Sequence, residues 1–224
     1  MAVSVIIPTL NEEGLIRGTI ERLRRQKPHE IIVVDGGSTD KTVEQARGAD
    51  RVFNGPRGRA AQMNFGAAGA TGDAMLFLHA DCRLEKGCME AISRCLRRRD
   101  VAAGCFRMTV DAHGFAFRMI DAAATARVRL TGFIYGDQGL FLTRNRFNEV
   151  GGFPDIPFME DVFASQLLRR KGRIAVLRQR IFVSPRRWQR QGILRQTLLN
   201  WKLTALAALG THPDRFAASY PVVR

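Results

Sequence analysis

Short apolar runs alternate with amphipathic stretches through the first half of the chain. Val3 to Pro8 (VSVIIP) is rich in β-branched residues and predicts a buried strand. Glu13 to Arg25 follows, with Leu15, Ile16, Ile20 and Leu23 at helical spacing. Ile31 to Val34 (IIVV) predicts a second buried strand; Ser38 or Thr39 offers an N-cap for a helix over Asp40 to Arg47. Arg51 to Phe53 reads as a short strand, Gly58 to Gly69 as a small-residue helix, Ala74 to Leu78 (AMLFL) as a strand and Glu85 to Arg98 as a helix. Continuous apolar strands between helices predict an α/β fold: a mainly parallel sheet covered on both faces. Such sheets bind ligands at the carboxyl ends of their strands.

The second half is less regular. Gly104 to Val110 predicts a strand, Phe115 to Arg129 a helix, Gly139 to Thr143 (GLFLT) a strand and Asn145 to Val150 a short helix. Phe158 to Arg170 reads as a helix, with late strands at Ile174 to Leu177 and Ile181 to Val183. No repeat, low-complexity tract or linker interrupts the pattern, so residues 1–224 read as one domain, with about 185–224 a basic, amphipathic helical extension.

At 224 residues and 46% apolar content the chain can bury a sizeable core. Its formal net charge is +14, which predicts attraction to anions such as nucleotides, nucleic acid or anionic lipid. Val162 to Pro213 contains no Asp or Glu but eleven Lys and Arg residues, either a solvated basic face or one turned to an anion or membrane. Ile193 to Leu209 is interrupted by Arg195, Asn200 and Lys202, and so predicts no membrane span. Leu194, Leu198, Trp201 and Leu206 lie broadly on one side of that stretch. It reads as an interfacial helix, a cover for the domain or a homodimer contact. Cys82, Cys88, Cys95 and Cys105 show no C-x-x-C spacing, which points to free thiols in a reducing cytoplasm. No basic leader precedes Arg17, so no signal peptide is expected.

Polar clusters follow the strand ends. Pro8-Thr9-Leu10-Asn11-Glu12 follows the first strand, Asp35-Gly36-Gly37-Ser38-Thr39-Asp40 the second, and His79-Ala80-Asp81 the AMLFL strand. Glu160-Asp161 opens a later helix. Each has a bland reading: a turn with a cap, a core histidine, carboxylates on a helix dipole. Three strands delivering polar clusters to one sheet edge is a coincidence that turn chemistry alone seldom arranges.

SVIIPTLNEE, IIVVDGGSTDKT, GDAMLFLHAD and GGFPDIPFMEDVFASQLLRRKG, in this order and spacing, resemble the family 2 glycosyltransferases of the GT-A fold over roughly residues 3–184. Within that family the chain is similar to a compact bacterial subgroup associated with radical-SAM or arsenosugar biosynthesis clusters. The resemblance implies transfer of a sugar, with inversion, from a UDP- or GDP-linked donor to an acceptor hydroxyl. It implies that Pro8, Thr9, Asn11, Glu12, Asp35, Gly36 and Ser38 hold the nucleotide. The family's Asp-x-Asp metal element reads His79-Ala80-Asp81 here, leaving Asp81 as the implied ligand of Mg²⁺ or Mn²⁺ and His79 facing sugar or ribose. Arg83 stands where relatives often have Gln, and could meet phosphate directly. Asp161 matches the family's general base, with Glu160 beside it.

Arg59 could turn toward phosphate or base, or merely start a solvated helix. Asp137 and Gln138 are acceptor contacts or turn residues. Arg186-Arg187-Trp188 resembles part of the Gln-x-x-Arg-Trp element of processive relatives, but the Gln is absent, so only cover for the diphosphate or stacking on a sugar is expected of Arg187 and Trp188. Two other readings compete: a non-catalytic basic module on nucleic acid or anionic membrane, and a sugar-nucleotide binder without transfer. Aromatics are 8% and do not interleave regularly with the basic stretch, so no nucleic-acid partner is expected.

Overall fold

The computed structural model describes residues 1–193 and, beyond them, 195, 197, 199, 201, 202 and 206. The amphipathic stretch expected over 193–209 therefore falls largely outside the described residues, as does the Arg187 side chain. In chain order the elements are β1 (Val3–Thr9), α1 (Ile16–Arg24), β2 (Glu30–Asp35), α2 (Thr42–Gln45), β3 (Arg51–Asn54), α3 (Arg59–Gly69), β4 (Ala74–Phe77) and β5 (Arg83–Leu84). They continue with α4 (Cys88–Leu96), β6 (Val101–Val110), α5 (Phe115–Thr131), β7 (Phe141–Thr143), α6 (Arg144–Glu149), α7 (Glu160–Arg169), β8 (Arg173–Val183) and α8 (Arg186–Gln191).

Among the described residues, eight strands join one sheet in the order β3-β2-β1-β4-β7-β6-β8-β5. β3, β2, β1 and β4 run parallel, β7 runs antiparallel to both its neighbours, and β6 pairs in parallel with β8. Strand alternation divides the core in two. Val5 and Ile7 of β1, Ile31 and Val33 of β2, and Leu76 of β4 meet α1 and α4 on one face. Ile6, Ile32, Val34, Met75 and Phe77 meet α3, α6 and α7 on the other. Both faces being covered is why these strands read as unbroken apolar runs. The chain winds outward from β1 to β3, then returns to the opposite side of β1 as β4. That reversal opens a crevice above the carboxyl ends of β1 and β4.

α3 lies close on the sheet because its contact residue is Gly66. A Cβ there would stand 2.6 Å from Ile6 Cγ2 and 2.9 Å from Val34 Cγ2, both on stiff β-branched side chains. Gly66→Ala should therefore destabilise the protein. Overpacking costs about 1–3 kcal/mol, and the helix propensity gained returns at most about 1 kcal/mol. A lowered urea midpoint at unchanged slope would register the loss; an unchanged or raised midpoint would mean that α3 can move off the sheet freely.

Several elements differ from the sequence reading. α1 starts at Ile16, not Glu13, because residues 11–14 are drawn into hydrogen bonds with the loop after β2. Neither Ser38 nor Thr39 caps the next helix: Ser38 is held by Asp35, and α2 is a four-residue turn continued by a 3₁₀ turn at Ala46–Gly48. α7 begins at Glu160, since Met159 takes a left-handed φ of 64°. The two late strands are one eleven-residue β8, whose register with β6 shifts between Cys105 and Arg107. Arg83, which falls between the elements expected from the sequence, forms β5, pairing with Phe182 of β8.

Candidate functional site

The loops after β1 and β2 are laced together. Asn11 adopts φ 55° and accepts from the Thr39 amide through Oδ1 (2.9 Å), while its own amide donates to Ser38 Oγ (2.8 Å). The Glu12 amide donates to Thr42 Oγ1 (2.7 Å) and the Glu13 amide to Asp40 Oδ2 (3.1 Å). Asp40 also accepts from the Thr42 amide and hydroxyl; these hydrogen bonds hold its carboxyl below the usual range although burial opposes them. Asp35, at the tip of β2, is buried. Its Oδ2 accepts from the Gly37 (3.0 Å) and Ser38 (2.8 Å) amides, and its Oδ1 from the Ser38 hydroxyl and Thr9 Oγ1 (3.3 Å). This carboxylate shapes the loop that the sequence reading gave to a nucleotide.

Gln62 of α3 was missed as a site residue. Its buried side-chain amide donates to the carbonyls of Thr9 (2.7 Å) and Val34 (2.8 Å), clamping the ends of β1 and β2. Gly36 packs against that amide, where a Cβ would lie 3.0 Å from it. The only sequence signal was the position of Gln62 one turn after Arg59.

The second half of the site gathers around Gly136, in the 3₁₀ turn Gly136–Gln138. A Cβ on Gly136 would stand 2.7 Å from His79 Nε2 and 3.1 Å from Asp161 Oδ2, so glycine keeps the space between them clear. Asp161 is held twice: Oδ2 accepts from the Gly136 amide and Oδ1 from the Val162 amide (2.7 Å). Ser165, buried on α7, donates to Asp161 O (2.6 Å) and accepts from the Ile134 amide (3.1 Å), which ties the turn to α7. Arg59 bridges the remaining pair, with Nε 2.8 Å from Glu160 Oε1 and a terminal nitrogen 3.4 Å from His79 Nε2. Glu160 is almost wholly buried. Burial pushes its carboxyl up to about 7; Arg59 opposes the rise and the Asp161 charge adds to it.

His79, Asp81 and Cys82 bring one nitrogen, one oxygen and one sulfur within 4.8 Å of one another. Burial, with the charges of Asp81 and Asp137, pushes the Cys82 thiol well up. His79 and Asp81 are the donors that fit a divalent cation. Arg186 also reaches this cluster, with a guanidinium nitrogen 3.5 Å from Asp81 Oδ2.

Other expected residues lie elsewhere. Arg83 stacks over the Phe182 ring at 3.9 Å and pairs with Asp111 at 3.3 Å, so its guanidinium is already engaged. Trp188 is 6% exposed in the core under β8, which leaves no open ring face for a sugar. Gln138 is fully buried, its Oε1 accepting from Arg127 and from the Tyr135 amide, and acts as a brace rather than a surface contact. Asp137 lies in the turn, its carbonyl 4.0 Å from Cys82 Sγ. Arg186, one residue before the arginine that the sequence singled out, meets Asp81.

The fold is shared with solved glycosyltransferases. A mannosyltransferase from Pyrobaculum calidifontis in complex with GDP-Man and Mn²⁺ superposes with a TM-score of 0.65 at 22% identity, over 80% of this chain and 56% of that one. TarS 1-349 from S. aureus in complex with UDP-GlcNAc gives 0.63 at 21%, over 82% and 58%. GalNAc-T7 with UDP, GalNAc and Mn²⁺ gives 0.64 at 16%, over 82% and 44%. The chain thus spans about half the length of these structures, and the likeness is one of GT-A fold. No curated protein sequence matches it. The glycosyl transferase family 2 model matches residues 4–158, more than half of the chain, and with the sheet order and the strand-end clusters already described this makes the protein a member of glycosyl transferase family 2.

Proposed function

We propose that the protein transfers a sugar, with inversion, from a nucleotide-diphosphate sugar to an acceptor hydroxyl. The observation that carries this reading is the convergence of His79, Asp81, Arg59 and Asp161 on the space kept open by Gly136. In this reading the laced loops after β1 and β2 hold the nucleotide, through Thr9, Asn11, Glu12 and the backbone that Asp35 shapes. His79 and Asp81 would hold a divalent cation, which supplies charge neutralisation for the leaving diphosphate. A nitrogen-plus-oxygen donor pair favours Mn²⁺ over Mg²⁺. Arg59 and Arg186 stand close enough to this cluster to meet phosphate oxygens as their charge grows. Asp161 takes the proton of the acceptor hydroxyl; that oxygen bonds to the anomeric carbon opposite the diphosphate, and the bond from carbon to phosphate oxygen breaks. Glu160 positions Arg59. The likeness to structures holding GDP-Man or UDP-GlcNAc supports a GDP- or UDP-linked donor. The compact bacterial subgroup is the finer form of the same reading.

Calorimetry with UDP, GDP, CDP and dTDP, each with and without Mn²⁺, tests the donor site. One nucleotide diphosphate should bind with Mn²⁺ at least about tenfold more tightly than without, and Asp81→Ala should remove that difference. Metal-independent binding unaffected by Asp81→Ala would move the phosphate role to the arginines alone. Binding without transfer to any acceptor would leave a sugar-nucleotide binder.

A further inference from the structure

α5 presents an apolar face to solvent. Phe117, Ala124 and Val128 bury its inner side. Phe115 (80% exposed), Met119 (54%) and Leu130 (78%), with the exposed Ala122 and Ala126 between them, follow helical spacing along its outer side. A helix apolar on both sides needs something to cover the outer one. At seventeen residues the ridge is about 25 Å long.

Alongside the ridge runs a groove of about 730 Å³, lined by Arg107, Arg118, Asp121, Arg129 and Arg180 among others. Arg118 is paired with Asp121 and Arg180 with Glu85. Arg107 and Arg129 have no acidic partner in ion-pair contact among the described residues. An exposed Phe-Met-Leu ridge beside a rim of arginines, in a chain of net charge +14, is complementary to one kind of surface. We infer that α5 is a docking face for an anionic lipid bilayer, with Phe115, Met119 and Leu130 entering the headgroup and acyl boundary and Arg107 and Arg129 meeting lipid phosphates.

A second copy of the chain fits less well. A twofold contact along α5 would set each arginine rim near its own copy, and like charges so placed oppose association. The docking helix is also tied to the candidate site, because Arg127 donates to Gln138 Oε1 and to the Phe133 carbonyl and stacks over Tyr135. Docking on α5 therefore fixes the turn around Gly136 relative to the bilayer. The inference goes beyond the transfer reading and does not depend on it.

Co-sedimentation of the full chain with vesicles tests it. The wild type should bind phosphatidylcholine vesicles containing phosphatidylglycerol, release them as salt rises, and bind pure phosphatidylcholine weakly. Phe115→Ser/Met119→Ser/Leu130→Ser should weaken binding at least about tenfold. Arg107→Ala/Arg129→Ala should weaken it several-fold and flatten its salt dependence. These side chains are exposed, so the variants should keep the wild-type circular dichroism spectrum and nucleotide affinity. Unaltered vesicle binding by the triple serine variant would assign the binding to the basic C-terminal stretch and overturn the inference. So would a wild type indifferent to anionic vesicles, or a solution dimer that the triple variant dissociates. Failure of nucleotide binding in the wild type would strike the transfer reading and leave α5 untouched.

Discussion

Asp161→Asn should lower turnover about 10²- to 10⁴-fold while changing donor affinity by less than about threefold. The argument rests on what the two oxygens of Asp161 already do. One accepts from the Gly136 amide and the other from the Val162 amide, so the side chain is fixed in place before any substrate arrives. Those bonds leave lone pairs free on each oxygen, and Oδ2 lies beside the space that Gly136 keeps clear in front of His79. An acceptor hydroxyl placed there would have its proton within reach of Oδ2. Asparagine keeps the shape but offers one acceptor oxygen, so one backbone amide loses its partner. That loss costs about 1–3 kcal/mol of stability and should appear as a lower melting temperature. The kinetic loss must therefore be read at a temperature where the variant is folded, with donor affinity as the control. Wild-type turnover by Asp161→Asn would sink the base assignment and move the role to Glu160. Loss of donor binding together with turnover would make Asp161 a structural residue of the turn.

Much of the fold was legible, for a physical reason. β1, β2 and β4 are covered on both faces, so their central residues are apolar, and such runs stand out in a sequence. The polar residues that follow them had to land on one sheet edge, which is where Thr9, Asn11, Asp35, His79 and Asp81 are. Less legible were features whose cause lies far away in the chain. Arg83 carries a charge and follows a motif, yet its neighbours are Phe182 and Asp111, brought to it by an antiparallel pairing that no local pattern announces. Trp188 follows two arginines, a context that suggests an exposed ring, but it sits on the short helix α8 after β8 ends and packs into the core. Gly136 carries no side chain that a sequence pattern could flag. Its value lies in the absence of a Cβ between His79 and Asp161, a property of the folded arrangement and not of any window of sequence. Gln62 is similar: a polar residue on a small-residue helix becomes a clamp only when two strand ends lie beneath it.

Glu160 should make the stability of the protein fall as pH rises from about 4.5 to about 7. Its carboxyl is raised from the ordinary 4.5 to about 7, first by burial and then by the Asp161 charge, against the pull of Arg59. A raised carboxyl holds its proton in the folded state at pH values where the unfolded chain has already released it. The stabilisation is therefore complete below about pH 4.5 and is lost between about 4.5 and 7, in the direction opposite to that of a carboxyl held low. The full displacement corresponds to about 3 kcal/mol. Glu30, Asp40 and Asp50 are held low by their hydrogen bonds and titrate with the opposite sign, so the raw pH profile mixes both. Glu160→Gln isolates the contribution of this carboxyl, because every other group is common to both proteins. The variant minus wild-type stability should rise by about 3 kcal/mol between pH 4 and 8, equivalent to a melting-temperature difference that changes by roughly 5–10 °C in a chain of this size. The same titration bears on the site. On the proposed reading, the ionised Glu160 would hold Arg59 in their ion pair, and its protonation would leave the guanidinium freer to meet the diphosphate. The wild-type KM for donor should inflect near pH 7 and that of Glu160→Gln should not. A stability difference that is flat with pH would place Glu160 as a permanently ionised partner of Arg59, and would take the proton-controlled release of Arg59 out of the mechanism.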